Sequence, residues 1–416
     1  MLCMDKRLFW GSILVLIIFF CLITAGCTGA PGNISFSAKN VTDANNRFAF
    51  DFYSRLANDP TNAESNIFFS PFSLSSAFSI TYDGARGDTA DEIRSVFHFP
   101  KDDVARRQEF ANISAIMNRE DNTTHLSTAN ALWAENTYPF LPEYISTAEQ
   151  YYAANVTNLD FINKADDSRN RINTWVEERT NNKIRDFIPS GGINPSTRLV
   201  ITNAIYFNGK WEKPFDERET DEYQFSVTPG KTVRVSMMQR GDTFAYTETS
   251  RIQMIELPYK HGYGKDLSMI VILPKHETLA AVENSLNGEM LSDLEQKLTD
   301  TKMVVSLPKF KLETRYELPE PLKAMGMPTA FASGADFSGM DGTKRLFINN
   351  VVHKAFIEVN EEGTEAAAAS SVYLRTSGID NSPVFRADHP FLFLIQDKET
   401  GTILFIGRVV NPNTNN

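Results

Sequence analysis

The segment Glu361-Glu362-Gly363-Thr364-Glu365-Ala366-Ala367-Ala368-Ala369-Ser370-Ser371 decides how this chain is read. By composition alone it is a linker or a helix, since small residues, and Ala above all, suit either. Two features argue against that. The run directly continues a strong strand pattern over Ala355–Val359, and it has a period of two. Counting alternate residues from Thr364 gives Thr364, Ala366, Ala368, Ser370, Val372 and Leu374, all uncharged and small until the last two. The intervening set, Glu365, Ala367, Ala369, Ser371, Tyr373 and Arg375, holds every charge. That alternation belongs to a half-buried strand, yet Ala is a poor strand former. A segment able to be a strand but weakly inclined to be one suits an element that changes state. Its small inward side chains would also lower the steric cost of parting a packed sheet.

Working outward, strand signals rich in Val, Ile and Phe fall at Leu199–Phe207, Leu267–Leu273, Met303–Leu307, Leu346–Val359, Phe391–Ile395 and Thr402–Val410. Helical spacing appears at Phe48, Phe52 and Leu56, before Asp59-Pro60 ends it. Ser70-Pro71 is a helix start with Pro at the first helical position. Residues 168–182 place Ile172, Trp175 and Val176 on one face, and residues 277–299 form a helical region broken by Gly288. Strands without regular helices between them disfavour a doubly wound parallel sheet. The body reads as one mixed α+β domain over residues 41–416.

The chain has 416 residues, 42% hydrophobic and 22% charged, which is ordinary for a globular protein. Thirty Phe fit a thick, sheet-rich core. A net charge of −11 would repel phosphate backbones, so nucleic-acid binding is not expected. The three cysteines, Cys3, Cys21 and Cys27, all lie in the first 27 residues, so the body can hold no disulfide, Cys-based zinc site or Cys nucleophile. Lys6-Arg7 precede sixteen uncharged residues, Leu8–Ile23, too short for a spanning helix and right for an export signal. Ile23-Thr24-Ala25-Gly26-Cys27 resembles the lipobox of prokaryotic lipoproteins. By that resemblance residues 1–26 are a signal peptide and Cys27 carries a lipid; an uncleaved anchor is the alternative. Both place the body outside the cytoplasm at a membrane. Residues 27–40, broken by Gly and Pro, read as a flexible tether. Asn33, Asn40, Asn112, Asn122 and Asn155 each begin an N-x-Ser/Thr triplet.

Catalytic machinery is not signalled. The sequence has no G-x-S-x-G, no phosphate-binding G-x-x-x-x-G-K-S/T, no H-E-x-x-H and no C-x-x-C. The six histidines, at 98, 125, 261, 276, 353 and 389, lack metal spacing. Asp88, Asp91 and Glu92 read as a solvated helix face.

Glu361 to Ser370 resembles the hinge of inhibitory serpins, the serine-protease-inhibitor family, and the resemblance extends over about residues 44–412. Asn66-Ile67-Phe68-Phe69-Ser70-Pro71-Phe72-Ser73-Leu74, with Gly84-Ala85-Arg86-Gly87-Asp88-Thr89, is similar to the N-terminal core motif. Asn203-Ala204-Ile205-Tyr206-Phe207-Asn208-Gly209-Lys210-Trp211 is similar to the central one. Ala335-Asp336-Phe337-Ser338-Gly339-Met340 and Val352-His353-Lys354-Ala355 precede the hinge. Asp388-His389-Pro390-Phe391-Leu392-Phe393 and Phe405-Ile406-Gly407-Arg408-Val409-Val410-Asn411-Pro412 close the chain.

The resemblance implies a single serpin domain with about three β-sheets, eight or nine helices and an exposed reactive-centre loop at about 361–385. It implies a suicide-substrate inhibitor of serine, or cysteine, endopeptidases, not an enzyme. The cleaved loop inserts into the main sheet while the protease is still an acyl-enzyme. The hinge would comprise Glu361, Gly363, Thr364, Ala366, Ala368 and Ser370. Counting seventeen positions from Glu361, or eight back from Phe385, places the reactive bond at Ser377–Gly378. A nine-residue count gives Thr376, and Arg375 would suit a trypsin-like pocket. Ser70, Ser73, Asn203 and His353 match the polar shutter beneath the sheet, and Trp211, Lys309 and Glu361 the breach where insertion begins. No cofactor is implied. The partners are a target protease and, through the lipid, a membrane, with a monomer able to polymerise by loop–sheet exchange. The rival readings are a non-inhibitory serpin acting as a binding or chaperone module, and a hydrolase with an unsignalled triad.

Overall fold

Helices and strands are unevenly shared along the chain, and strands dominate its second half. The computed structural model describes residues 39–117, 123–261, 266–364 and 383–414. Through the first part run α1 (Lys39–Ala57), β1 (Ile67–Phe69), α2 (Pro71–Gly84), α3 (Gly87–Val96), α4 (Asp103–Met117), β2 (Thr124–Glu135), α5 (Pro142–Tyr152), β3 (Asn155–Leu159) and α6 (Ala165–Arg179). Next come β4 (Leu199–Lys210), β5 (Asp221–Thr228), β6 (Lys231–Glu248), β7 (Ile252–Pro258), β8 (Leu267–Pro274), α7 (Leu279–Glu283) and α8 (Gly288–Glu295). The last part holds β9 (Thr299–Pro308), β10 (Phe310–Glu317), α9 (Pro319–Met325), α10 (Ser338–Asp341), β11 (Ile348–Asn360), β12 (Gly363–Thr364), β13 (Val384–Arg386), β14 (Phe391–Asp397) and β15 (Ile403–Val409). Among the described residues there are ten helices, three with seven residues or fewer, so the expected eight or nine depends on whether the short pieces are counted.

The strands form two hydrogen-bonded networks. One has nine strands, ordered β1-β15-β14-β8-β7-β6-β9-β13 with β5 on β6. The 18-residue β6 threads it: Lys231–Met237 pair with β5, Met237–Tyr246 with β9 and Ala245–Glu248 with β7. Two of the three expected sheets are therefore one continuous network. The other network is the main sheet, β3-β2-β4-β11-β10, with β12 between one end of β4 and the adjoining end of β11.

The main sheet is buried on both faces, which its two alternating sets of side chains record. Leu199, Ile201, Ile205 and Phe207 of β4, with Val351, Ala355, Ile357 and Val359 of β11, join the large core shared with the nine-stranded network. Val200, Ala204, Tyr206, Val352 and Phe356 join a second core with Ile172 and Val176 of α6 and with Ile184, Phe187 and Ile188. Stacked Phe68 and Phe405, 5.2 Å apart, and Phe310 with Phe393, 5.4 Å apart, fill the large core.

Helix α2 starts as its sequence directs. Ser70 caps it, its hydroxyl accepting from the Ser73 amide, and Pro71 occupies the first turn. Twelve of its fourteen residues are buried, four of them serines at 73, 75, 76 and 79, so the helix is enclosed rather than amphipathic. It packs on β15 of one network and on β4 and β2 of the other.

The chain does not run straight on from β11 into the small-residue segment, as the sequence pattern suggested. It reverses at Glu361-Glu362, and β12 returns beside β11 with Thr364 opposite Val359 and Gly363 opposite Asn360. The cause is local. The Asn360 side chain accepts from the Glu362 and Gly363 amides at 3.1 and 3.3 Å, and Gly363 has φ +148°, which side-chain-bearing residues rarely adopt. A β-carbon there would also lie 2.1 Å from the Gly209 carbonyl oxygen.

Candidate functional site

The site is built on the seam between β4 and β11. These strands pair in parallel over eight residue pairs, from Ile348 opposite Leu199 to Phe356 opposite Tyr206. Where that ladder stops, β12 takes over the space, antiparallel to both neighbours, with Thr364 opposite Val359 on one side and Gly209 on the other.

Main-chain bonds hold the turn leading into β12. The Trp211 amide donates to the Glu362 carbonyl at 2.9 Å and the Phe215 amide to the Glu361 carbonyl at 2.8 Å. The Trp211 indole donates to the Asn360 carbonyl at 3.0 Å. The buried Glu361 carboxylate meets the Lys309 ammonium at 2.8 Å and accepts from the Thr220 hydroxyl at 2.7 Å. Burial pushes its pKa up, but the ammonium and the hydroxyl outweigh that and hold the group below the usual carboxylate range. Glu361 is thus a charged clamp at the root of the segment. The structure brings Trp211, Lys309 and Glu361 together, as the sequence motifs grouped them.

At mid-seam lies a buried polar cluster on the α2 side. His353 Nε2 accepts from the Ser70 amide at 3.2 Å, and its Nδ1–H donates to the Asn203 side-chain oxygen. The Asn203 amide group donates to the Ser73 carbonyl at 2.9 Å, to the Ser73 hydroxyl at 2.7 Å and to Asn130 Oδ1 at 2.7 Å. Burial pushes His353 down to about 3, so the ring is neutral and its two nitrogens keep one donor and one acceptor role. His353 and Asn203 are register partners across the parallel ladder. A bond network therefore bridges the two strands at their middle and ties them to the start of α2.

Sequence reading missed Asn130, Thr220, Asn360 and Tyr259. Asn130 reaches the cluster from β2, Thr220 lies beside a carboxylate 141 positions away, and neither lies in a stretch with a local signal. Among the described residues no group of His, Cys, Asp and Glu is placed to hold a metal ion.

A family model described as serpin (serine protease inhibitor) matches residues 43–412. This chain belongs to the serpin family. The serpin is 43% identical over 383 residues to an uncharacterized serpin-like protein of Methanosarcina mazei, covering 91% of this chain and 88% of that one. It is 39% identical to the leukocyte elastase inhibitor of Bos taurus, covering 90% of this chain and all of the relative. Among solved structures it matches Serpin48 of the insect Tenebrio molitor with a TM-score of 0.80 and 34% identity, over 90% of this chain and 98% of the other. The fold is the mixed α+β serpin fold. Within it, Glu361, Gly363 and Thr364 of the expected hinge have been placed. Ala366, Ala368, Ser370, the candidate bonds at Arg375, Thr376, Ser377 and Gly378, and Cys27 lie outside the described residues.

Proposed function

We propose that this serpin is a suicide-substrate inhibitor of serine endopeptidases that traps the acyl-enzyme by drawing residues 365 onward into the β4–β11 seam. One observation carries the reading: β12 already sits between these strands, antiparallel to both, at the open end of a parallel ladder. Extending β12 would replace one parallel ladder by two antiparallel ones, and antiparallel pairing is the more stable per residue.

The register of Thr364 fixes where each following residue would land. Each step forward moves one residue back along both neighbours. Ala366 would meet Ile357 and Phe207, Ala368 would meet Ala355 and Ile205, and Ser370 would meet His353 and Asn203. All six neighbours are buried. The uncharged alternate set would thus face the large core, and Ser370 would arrive at the polar cluster, where a hydroxyl finds partners. Glu365 would turn to the opposite face. Tyr373 would reach Asn350 and Val200, the last regular pair before the irregularity at Ile348.

In the chemical step the protease serine oxygen attacks the carbonyl carbon of the donor residue, and the amine of the next residue leaves with a proton. That creates an ester to the protease and a free loop arm. With Ser377 as donor and Gly378 leaving, the acylated end lies thirteen residues beyond Thr364, about 43 Å of extended chain. Water must hydrolyse the ester before insertion finishes for the protease to escape. Thr376 and Arg375 remain alternative donors. The N-terminal leader supports export, with Cys27 as a lipid-bearing anchor. Cys27→Ala should then move the protein from membrane to soluble fractions.

The test is incubation with a panel of serine proteases. A covalent complex stable in SDS, with a released peptide beginning at Gly378, is expected. If every protease that cuts the loop stays active and uncomplexed, the serpin is a binding module or a substrate and the reading falls.

A further inference from the structure

We propose that Tyr259 is a positioning residue: its phenol latches Thr364 in the seam and sets the register from which the rest of the segment inserts. The proposal rests on the inhibitory reading for its consequence, but not for its geometry.

Tyr259 follows β7 and is fully buried. Its hydroxyl lies 2.8 Å from that of Thr364, which is also fully buried. The ring stacks on Trp211 with centroids 4.6 Å apart and meets the edge of Phe207 at 5.0 Å. It reaches Thr364 through space left by a missing side chain. Gly209 is the residue opposite Thr364 in the register, and a β-carbon on Gly209 would lie 2.9 Å from Tyr259 Cδ1. Tyr259 thus lies where a side chain at residue 209 would project, and its phenol satisfies the only polar group of the Thr364 side chain.

Two physical consequences follow. β12 is two residues long, and Thr364 is its last residue beyond the bonded turn that leads into it. The buried hydroxyl pair adds a side-chain bond at that last residue. The register also matters more than usual. A slip of one residue would exchange the two alternating faces and turn Glu365, in place of Ala366, toward the large core. Thr364 is the first residue of the uncharged set, and Tyr259 accepts it in one position only. In the race against deacylation, insertion then starts from a seated, correctly aligned residue.

The experiment compares Tyr259→Phe, Thr364→Val, the double variant and Thr364→Ser in the full chain. Amide exchange at Thr364 in the intact protein is the first readout. Loss of one hydrogen bond of about 1 kcal/mol corresponds to about fivefold faster exchange. We expect that increase in both single variants, no further increase in the double variant, and wild-type exchange in Thr364→Ser, which keeps the hydroxyl. The second readout is the number of serpin molecules consumed per protease trapped, expected to rise in step with exchange. Wild-type exchange in Tyr259→Phe, or additive effects in the double variant, overturns the latch. If Tyr259→Phe does not fold, Thr364→Val against Thr364→Ser decides it. If the wild type traps no protease, the proposed function fails while the exchange results still judge the latch.

Discussion

His353 is the residue with the most to say about pH. Its ring is buried and neutral, with a pKa near 3 against about 6.5 in an unfolded chain. Its contribution to stability is therefore complete above about pH 6.5 and is lost as pH falls, because the unfolded chain takes up a proton that the folded one refuses. The slope from this group alone is about 1.4 kcal/mol per pH unit between 6.5 and 3. Thermal melting of the intact protein across that range should show it, and His353→Gln should flatten the curve; an unchanged slope would contradict the assignment. Glu361 is shifted the same way, by its ammonium and hydroxyl partners rather than by burial, and with the same direction of effect. Its lowered pKa means that stability from the Lys309 pair is present above the usual carboxylate pKa and fades as pH drops through the lowered value. Glu361→Lys would set two ammonium groups together and remove a charge-assisted bond, at a cost of about 2 kcal/mol. Gentle heating followed by native electrophoresis should then show more multimers than in wild type, as expected if a loosened seam accepts another molecule's loop. At this scale Glu361, Lys309, Trp211 and His353 were legible because each sits in a recognisable motif. Tyr259 was not, since a tyrosine after Leu257-Pro258 says nothing about which distant hydroxyl it will meet.

At the scale of elements, the seam is a parallel pair in a setting that offers two antiparallel ones. That gives the inward residues of the segment a steric duty. Ala368 would land between Ala355 and Ile205, both fully buried, so Ala368→Arg should stall insertion there. The expected outcome is a protein that is cut normally but needs at least about ten times more molecules per protease trapped, read by titration of residual protease activity. That figure corresponds to about 1.4 kcal/mol, well below what a misplaced buried charge costs. Trapping by Ala368→Arg as efficient as by wild type would argue that the segment never enters the sheet. The alternation that decided the reading was visible in sequence because small and charged residues separate cleanly. The reversal before it was not, since it depends on Asn360 capping the turn and Gly363 fitting against Gly209, contacts that strand periodicity does not encode. Gly288 shows a similar limit: the pattern breaks the helical region 277–299 at Gly288, whereas the interruption falls just before it, α7 ending at Glu283 and Gly288 opening α8, capped by Asn287. Strand β6 is not legible because Lys231, Arg234, Arg240 and Asp242 are spread along it and dilute the apolar pattern.

Over the whole molecule, two cores meet at the main sheet, and a new strand would satisfy both. The faces of β4 and β11 already alternate between the large core and the α6 side, and the segment from Thr364 to Tyr373 carries the same alternation. Under the proposed function the intact form would be held from its lower-energy arrangement by kinetics. Inserting residues 365–373 would add on the order of ten net backbone hydrogen bonds, about 1 kcal/mol each. For a chain of this size that should raise the melting temperature by at least about 10 °C. The direct test is to cut the loop with a protease that the serpin does not trap, verify the cut by mass, and compare the melting of cleaved and intact protein in the same buffer. We expect the cleaved form to melt well above the intact one. Equal or lower melting of the cleaved form would mean that the freed arm stays outside the sheet, and the account of trapping would be wrong.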